Sequence, residues 1–441
     1  MGDDALRSCR VRSRRSAWGF FDGAPDQWGM SRETLGIGFV GAGFITSEFH
    51  APSLERIRRA EAAGVMNPTR EKAASVANDL READCGDPLV TDDVRELVAD
   101  PAVDAVWVTS PNHTRVETVR AIVEEVEQGG ADLVGVAIEK PLARTVAEAR
   151  EVVDLVEGAD LAHAYLENQV YMPGVERMRE LLWEGAETSG RPYLARAAEE
   201  HAGPHSAWFW DGEKQGGGVL NDMGCHSHEV NRHLLSRPGA DDLTPKAVTA
   251  DISTLKWGRE EYADELAEEH GVDYRSAPTE DYARTTVYYE TPDGAVVVGE
   301  TTNSWSFVGS GLRISIELLG PEYSGRIDTL ESGTNVFFSD AATDEAGYAV
   351  EKQQASQGQM SVLPDEGGVY GYPAQNEHVV EAFLSGENAR EDLSDGLTVV
   401  RLCMASYLSA ERGERVALDD AELAEYVPEP ARGEFDGAPE F

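Results

Sequence analysis

A chain of 441 residues, 41% of them hydrophobic, is long enough for two or three domains with sizeable cores. Its 81 acidic residues outweigh 38 basic ones and leave a net charge of −43, a field that repels nucleic acid and argues against it as a partner. No apolar run approaches the roughly 20 residues of a membrane-spanning helix, and even the apolar stretch around Val103 to Thr109 is short and broken by Asp104.

In chain order, residues 1–32 come first and differ in composition, with Arg7, Arg10, Arg12, Arg14 and Arg15 ahead of Met30. Ser13-Arg14-Arg15 has the letters of a twin-arginine export signal. The apolar segment such a signal needs does not follow, so the stretch reads as a disordered extension or as a start placed ahead of Met30. From Leu35 the pattern is strand (Leu35 to Val40), glycine turn, helix (Phe44 to Ala62) and a second strand ending at Gly64 to Met66, a βαβ unit. Helices over Arg70 to Leu80, Thr114 to Gln128 and Val146 to Val156 alternate with strands at Ala105 to Thr109, Leu133 to Ile138 and Leu161 to Tyr165. That alternation predicts a doubly wound parallel sheet over residues 33–165.

Beyond it, Pro173 to Trp183 and His226 to Leu235 read as helices. Alternating, β-branched runs then follow at Ala247 to Leu255, Ala283 to Tyr289, Ala295 to Thr302, Leu312 to Leu319 and Asn335 to Phe338, with Thr291-Pro292-Asp293-Gly294 as a turn. They predict a large, mostly antiparallel open sheet in an α+β domain over residues 166–430. The acidic stretch Glu260 to His270 reads as a surface helix or insertion, and residues 341–371 as a long loop. Helices near Asn376 to Leu384 and Gly396 to Ala410 follow, then a tail at 431–441.

The charge balance has a further feature: only six residues are lysine, and the other basic residues are arginine. Dense carboxylates hold water and cations at high salt and repel one another when unscreened, so the composition points to a halophile and to salt-dependent stability. Four scattered cysteines without a CxxC pair (Cys9, Cys85, Cys225, Cys403) argue against a disulfide framework and for a reducing, cytoplasmic setting.

Gly41-Ala42-Gly43-Phe44-Ile45-Thr46 sits between strand and helix, where a dinucleotide's diphosphate meets backbone amides and the helix dipole. Gly41 permits the tight turn and Gly43 close approach, while Thr46 replaces the third glycine. At the end of the second strand, where an acid would hold an adenosine ribose, stands Asn67. Without that acid, Asn67, Thr69 and Arg70 are candidates to accept the 2′-phosphate of NADP, a slight preference over NAD. The plainer reading has Thr69 capping the next helix and Arg70 solvated.

Ser110, Pro111, Asn112 and His113 follow one apolar strand, and Glu139-Lys140-Pro141 the next, so both segments lie at strand C-termini where open α/β sheets bind ligands. Lysine is so scarce here that Lys140 reads as an ammonium aimed at a substrate oxygen, the alternative being an ion pair with Glu139. Asp222 and His226, four apart after Gly216-Gly217-Gly218, share one face if the segment is helical, and an imidazole is the natural proton acceptor near neutral pH; taken alone, the segment reads as a surface helix with a buried polar cap. The glycines would let that helix begin close to a ligand. His201 to Trp210 is rich in polar and aromatic groups; His205 and Trp208, with Tyr171, are substrate-binding candidates, and an aromatic packing cluster is the alternative. His226, His228, Glu229 and His233 lack HExxH spacing, so no metal is expected.

These residues resemble the Gfo/Idh/MocA oxidoreductases, which include glucose-fructose oxidoreductase and inositol dehydrogenases. The resemblance runs from Gly36 to about Val416 and rests on the glycine turn, Pro111-Asn112, Glu139-Lys140-Pro141, the Asp222-x-Gly224-x-His226 segment and Ala405 to Ala410. It implies a catalytic group of Lys140, Asp222 and His226. It also implies an NAD(P)-binding Rossmann domain whose cofactor contacts include Gly41, Gly43, Phe44, Ile45 and the two strand-end segments. The second domain would carry substrate and an oligomer interface, giving a homo-dimer or homo-tetramer. The implied function is hydride transfer between the nicotinamide cofactor and a secondary alcohol or ketone of a sugar, sugar derivative or cyclitol. The alternatives are a redox-neutral reaction with retained NAD (elimination or glycoside cleavage) and a non-catalytic nucleotide sensor. In two places the chain departs from the family pattern: Arg115 replaces the histidine expected three residues after Asn112, while His113 follows it directly, and Asn67 stands where the acid for the adenosine ribose is expected.

Overall fold

The computed structural model describes residues 33–240, 242–331, 335–338, 351–352 and 358–437. The expectation for residues 1–32 lies outside these. Six strands form the first sheet: β1 (Leu35–Val40), β2 (Ala60–Met66), β3 (Leu89–Thr91), β4 (Ala105–Val108), β5 (Gly135–Glu139) and β6 (Ala162–Leu166). Their order is β3-β2-β1-β4-β5-β6, and every neighbouring pair is parallel. β1 and β4 are buried at every position because helices cover both faces, which is why they read as continuous apolar runs. The strand order reverses at β1 and β4, and this opens a crevice at their C-terminal ends.

The segment after the glycine turn departs from the sequence reading. Helical turns start at Phe44, as the sequence reading has it, but run only to Arg56, and Ile57 is extended. Ala60 to Ala63, good helix formers by propensity, instead belong to β2, where Ala60 pairs with Leu35. Burying a second strand against β1 overrides a propensity worth only tenths of a kcal/mol per residue.

The second sheet comprises β7 (Leu194–Glu200), β8 (Thr244–Ser253), β9 (Tyr282–Glu290), β10 (Val296–Ser304), β11 (Arg313–Leu319), β12 (Ser324–Asp328) and, after β13 (Asn335–Phe338) and β14 (Gly358–Ser361), the short β15 (Val416–Ala417). Its order is β12-β11-β7-β10-β9-β8-β15; β7 and β10 run parallel and the other pairs antiparallel. Buried positions alternate along β9 and β10, as in a sheet covered on one face. The helix Cys225–Leu235, buried throughout, packs on β7 and β10. The acidic stretch is a helix over Glu260–His270. Within the expected loop 341–371, β14 pairs with β13 and Glu366–Val369 forms a short helix.

The C-terminal helices return to the first sheet. On Tyr372–Leu384, Asn376 accepts from Trp107 Nε1 at 2.9 Å, and Phe383 meets the Trp107 ring edge-on at 5.8 Å. Tyr165 N donates to Glu391 O, and the helix Leu393–Arg412 packs on Val146–Gly158. The tail is held as far as Gly437, whose carbonyl accepts from Thr254 N, with Phe435 buried.

Candidate active site

A cavity of about 510 Å³ lies between the C-terminal ends of β1, β4 and β5 and the ends of β7 and β11 in the second sheet. One end is the glycine turn. Gly41 holds φ +115, and a Cβ there would sit 2.9 Å from Thr109 Oγ1, so glycine is required. Thr46 is wholly buried in the third-glycine place; its hydroxyl donates to Gly41 O at 2.8 Å and lies 2.8 Å from Thr109 Oγ1. The turn is thus braced by a side chain. A Cβ on Gly43 would meet nothing within 4 Å, which leaves open space on the cavity side. That space beside a strand-to-helix turn, continuous with a deep crevice, fits a dinucleotide diphosphate.

Asn67 lines this end, but its side chain is engaged locally: Oδ1 accepts from Ala42 N and Nδ2 donates to Thr69 O, both at 3.1 Å. Arg70 lies outside the cavity lining, exposed and 3.9 Å from Asp92, because the first turn of its helix points it outward. The basic residue at this end is Lys72. Phe44, Ile45, Ser110, Pro111 and Asn112 line the cavity, with Asn112 Nδ2 donating to Gln215 O and Oε1. His113 does not; its ring lies 6.3 Å from that of Trp208. Arg115 takes part instead, buried, with Nη2 donating to Lys140 O and with no partner for Nε or Nη1 among the described residues. Burial pushes its guanidinium down to about 10.

At the other end Lys140 Nζ lies 3.1 Å from Asp222 O and 3.3 Å from Asp222 Oδ1, while Trp305 Nε1 donates to Asp222 Oδ2 at 3.3 Å. The partner of Lys140 is therefore Asp222. Glu139 turns to His50 Nε2, 2.8 Å away, and to Lys140 N. Burial opposes the Lys140 charge, but Asp222 and the further carboxylates Glu199 and Glu139 outweigh it and hold the ammonium above the usual lysine range.

His226 faces the cavity with Nδ1 against both carboxylate oxygens of Glu167. Burial alone would lower the imidazole; Glu167, helped by Glu199, raises it instead. With Nδ1–H held by Glu167, Nε2 is the nitrogen left to exchange a proton. Sequence reasoning missed Glu167, although it follows β6 as Glu139 closes β5, the one position signal that could have found it. It also missed Glu199, because β7 (LARAAEE) has no apolar signature of a strand.

His205 and Trp208 line the cavity, Trp208 stacked on Phe209 at 3.8 Å, whereas Trp210 is buried among Trp257, Tyr274 and Trp305. The aromatic segment is thus wall on one side and packing on the other. Tyr171 is a correction. It is buried outside the cavity under Arg390, 4.2 Å from its ring, and Asn168 and Gln169 take the wall position. The glycines before Asp222 admit neighbouring chain: a Cβ on Gly217 would fall 2.1 Å from the Tyr407 hydroxyl, which is itself bonded to Glu280. His228, Glu229 and His233 scatter away from His226. Glu229 bonds Arg232, His233 meets Glu176, and burial pushes His228 down to about 4. Among the described residues one carboxylate group, Glu229, Glu391 and Asp395, comes close enough for a shared cation, and Arg232 bridges two of the three.

The family described as "Oxidoreductase family, NAD-binding Rossmann fold" matches residues 35–165, and the "GFO/IDH/MocA C-terminal domain" matches residues 175–322. The chain is 26% identical over 249 residues to D-xylose 1-dehydrogenase [NADP(+)] of Haloarcula marismortui, which covers 55% of this chain and 63% of that protein, less than two thirds of its length. It is 24% identical over 398 residues to D-glucoside 3-dehydrogenase of Escherichia coli, 88% of this chain and 99% of that one. Among solved structures, GenD2 from gentamicin A biosynthesis in complex with NAD superposes with TM-score 0.70 at 26% identity, covering 90% of this chain and 99% of GenD2. With both domain families matched in order along the sequence, over more than half of it, the chain belongs to the Gfo/Idh/MocA oxidoreductases.

Proposed function

We propose that this protein is an NAD(P)-dependent dehydrogenase or reductase acting on a secondary alcohol or ketone of a sugar, sugar derivative or cyclitol. The observation that carries the reading is the convergence of the Lys140–Asp222 pair and the Glu167-held His226 at one end of a cavity whose other end is the glycine turn. In oxidation His226 Nε2 takes the hydroxyl proton, and Lys140 donates to the oxygen as negative charge grows on it. Asp222 keeps Lys140 charged and placed. A nicotinamide cofactor bound from the glycine-turn end would supply the hydride acceptor for the same carbon. In reduction His226 returns the proton.

NADP is favoured over NAD. Asn67 brings no carboxylate to repel a 2′-phosphate, Lys72 supplies a cation at that end of the cavity, and the Haloarcula relative carries NADP(+) in its name. The acid-rich, lysine-poor composition, and that relative's source, support adaptation to high salt. The test is spectrophotometric assay in multimolar KCl with NAD+ and NADP+ against a panel of sugars and cyclitols, beside His226→Ala. Reduction that prefers NADP+ and is abolished by the substitution is expected; tight nucleotide binding without reduction of any substrate overturns the reading.

A further inference from the structure

Three of the chain's six lysines, Lys72, Lys140 and Lys352, line the same cavity. Elsewhere arginine carries most of the positive charge, so a lysine in that lining answers a need for a compact ammonium. Lys140 is paired with Asp222. Lys352 is not paired: its Nζ lies 3.0 Å from His205 Nδ1, and no carboxylate among the described residues reaches it within ion-pair distance. Its backbone sits at φ +59, a left-handed conformation unusual for a long side chain, which persists only where the surroundings impose it. Those surroundings are visible at Glu351, whose carbonyl accepts from Leu312 N at 2.9 Å and whose amide donates to Glu366.

The side chain is aimed by a short relay. The His205 ring lies 4.6 Å from that of Phe44, the first residue after Gly43. Burial, with the Lys352 charge beside it, pushes His205 down to about 4, so the imidazole is neutral and accepts at Nδ1 without cancelling the ammonium. Lys352 therefore brings an ammonium to the cavity wall with Glu351, Asp222 and Glu199 acting on it only from beyond ion-pair distance among the described residues. Burial lowers its own affinity for a proton, a cost that an anion brought into contact would relieve.

We propose that Lys352 is an anion-binding residue of the cavity and takes an anionic oxygen of a molecule bound there, beside the His205–Phe44 pair. The oxygen has two possible sources: the diphosphate of the dinucleotide, which rests on the function proposed above, or a carboxylate on an acidic sugar. The full chain carrying Lys352→Met, with Lys352→Arg as the charge-keeping control, is titrated calorimetrically with NADP+, ADP-ribose, adenosine and D-glucuronate at one salt concentration. Equal melting midpoints confirm that each variant folds. Weakening of NADP+ and ADP-ribose by about tenfold, with adenosine unchanged and affinity recovered by Arg, is expected and assigns the diphosphate. Weakening confined to D-glucuronate assigns the substrate. Unchanged affinity for all ligands in Lys352→Met overturns the proposal while leaving the proposed function standing. A wild-type chain that binds no dinucleotide overturns that function, and the D-glucuronate titration then decides Lys352 alone.

Discussion

Glu167 and His226 meet through both carboxylate oxygens, Oε1 and Oε2 lying 2.7 and 2.8 Å from Nδ1 of a ring that is otherwise buried. Burial favours the neutral imidazole; the carboxylate outweighs it and raises the ring above its ordinary 6.5. Oxidation needs the unprotonated ring, so kcat/KM for the alcohol should rise with pH through a midpoint above that value. Glu167→Gln removes the raising charge and should move this limb to lower pH while lowering kcat by about 10²-fold, since the ring is no longer held for transfer. A pH–rate profile of the variant with an unshifted acid limb would remove Glu167 from the mechanism.

Lys140 and Asp222 form a pair with side-chain exposures of only 17% and 7%. Removing one partner strands the other charge in a poorly solvated site. Lys140→Met is expected to cost about 3–5 kcal/mol of unfolding free energy and about 10²-fold or more in kcat. The double substitution Lys140→Met/Asp222→Asn leaves neither member of the pair stranded and should recover much of the stability and none of the activity. Denaturant unfolding of the four chains in a double-mutant cycle measures the coupling, and additive losses would show that the pair does not act as a unit.

Gly41 and Gly43 separate folding from binding. Gly41→Ala forces a side chain into φ +115 and against Thr109, and should destabilise the protein by about 1–3 kcal/mol. Gly43→Ala meets no protein atom and should melt with the wild type, yet its methyl occupies the space where a diphosphate would approach, so nucleotide affinity should fall. Melting curves and nucleotide titrations on both chains test this; a Gly43→Ala protein that binds NADP+ as tightly as wild type places the dinucleotide elsewhere.

A net charge of −43 predicts a melting temperature that climbs steeply with KCl. The screening length falls from about 30 Å at 0.01 M to about 3 Å at 1 M, which quenches repulsion among surface carboxylates. Exposed pairs such as Arg56–Asp365 weaken over the same range, but each contributes about 1 kcal/mol or less. Calorimetric scans from 10 mM to multimolar KCl should show the rise, and a flat response would rule out adaptation through surface charge.

Much of the first sheet and of the site was legible in the sequence, because strand runs, glycine turns and strand-end polar segments are local patterns. The places where the reading failed are those where distant burial overrides a local signal. Ala60 to Ala63 look helical and pair as a strand with β1. Leu194 to Glu200 looks like nothing in particular, yet sits between β11 and β10 at the centre of the second sheet. Tyr171 has the chemistry of a substrate contact and is turned under Arg390 by the helix that follows it. Arg70 was the obvious cation near Asn67, but helical phase gives the cavity to Lys72.

The sequence by itself determined the alternation that makes a doubly wound sheet, the glycine turn at its switch point, and the presence of Lys140, Asp222 and His226 at element ends, since each depends on neighbours within a few residues. Tertiary structure alone decided which of these groups touch. Glu167 reaches His226 across 59 residues, Lys140 reaches Asp222 across 82, and Trp107 reaches Asn376 across 269. The physical reason is that periodicity and turn chemistry describe how a segment folds against itself. Partners so far apart are chosen by the burial of two sheets and their shared helices, which no short window of sequence contains.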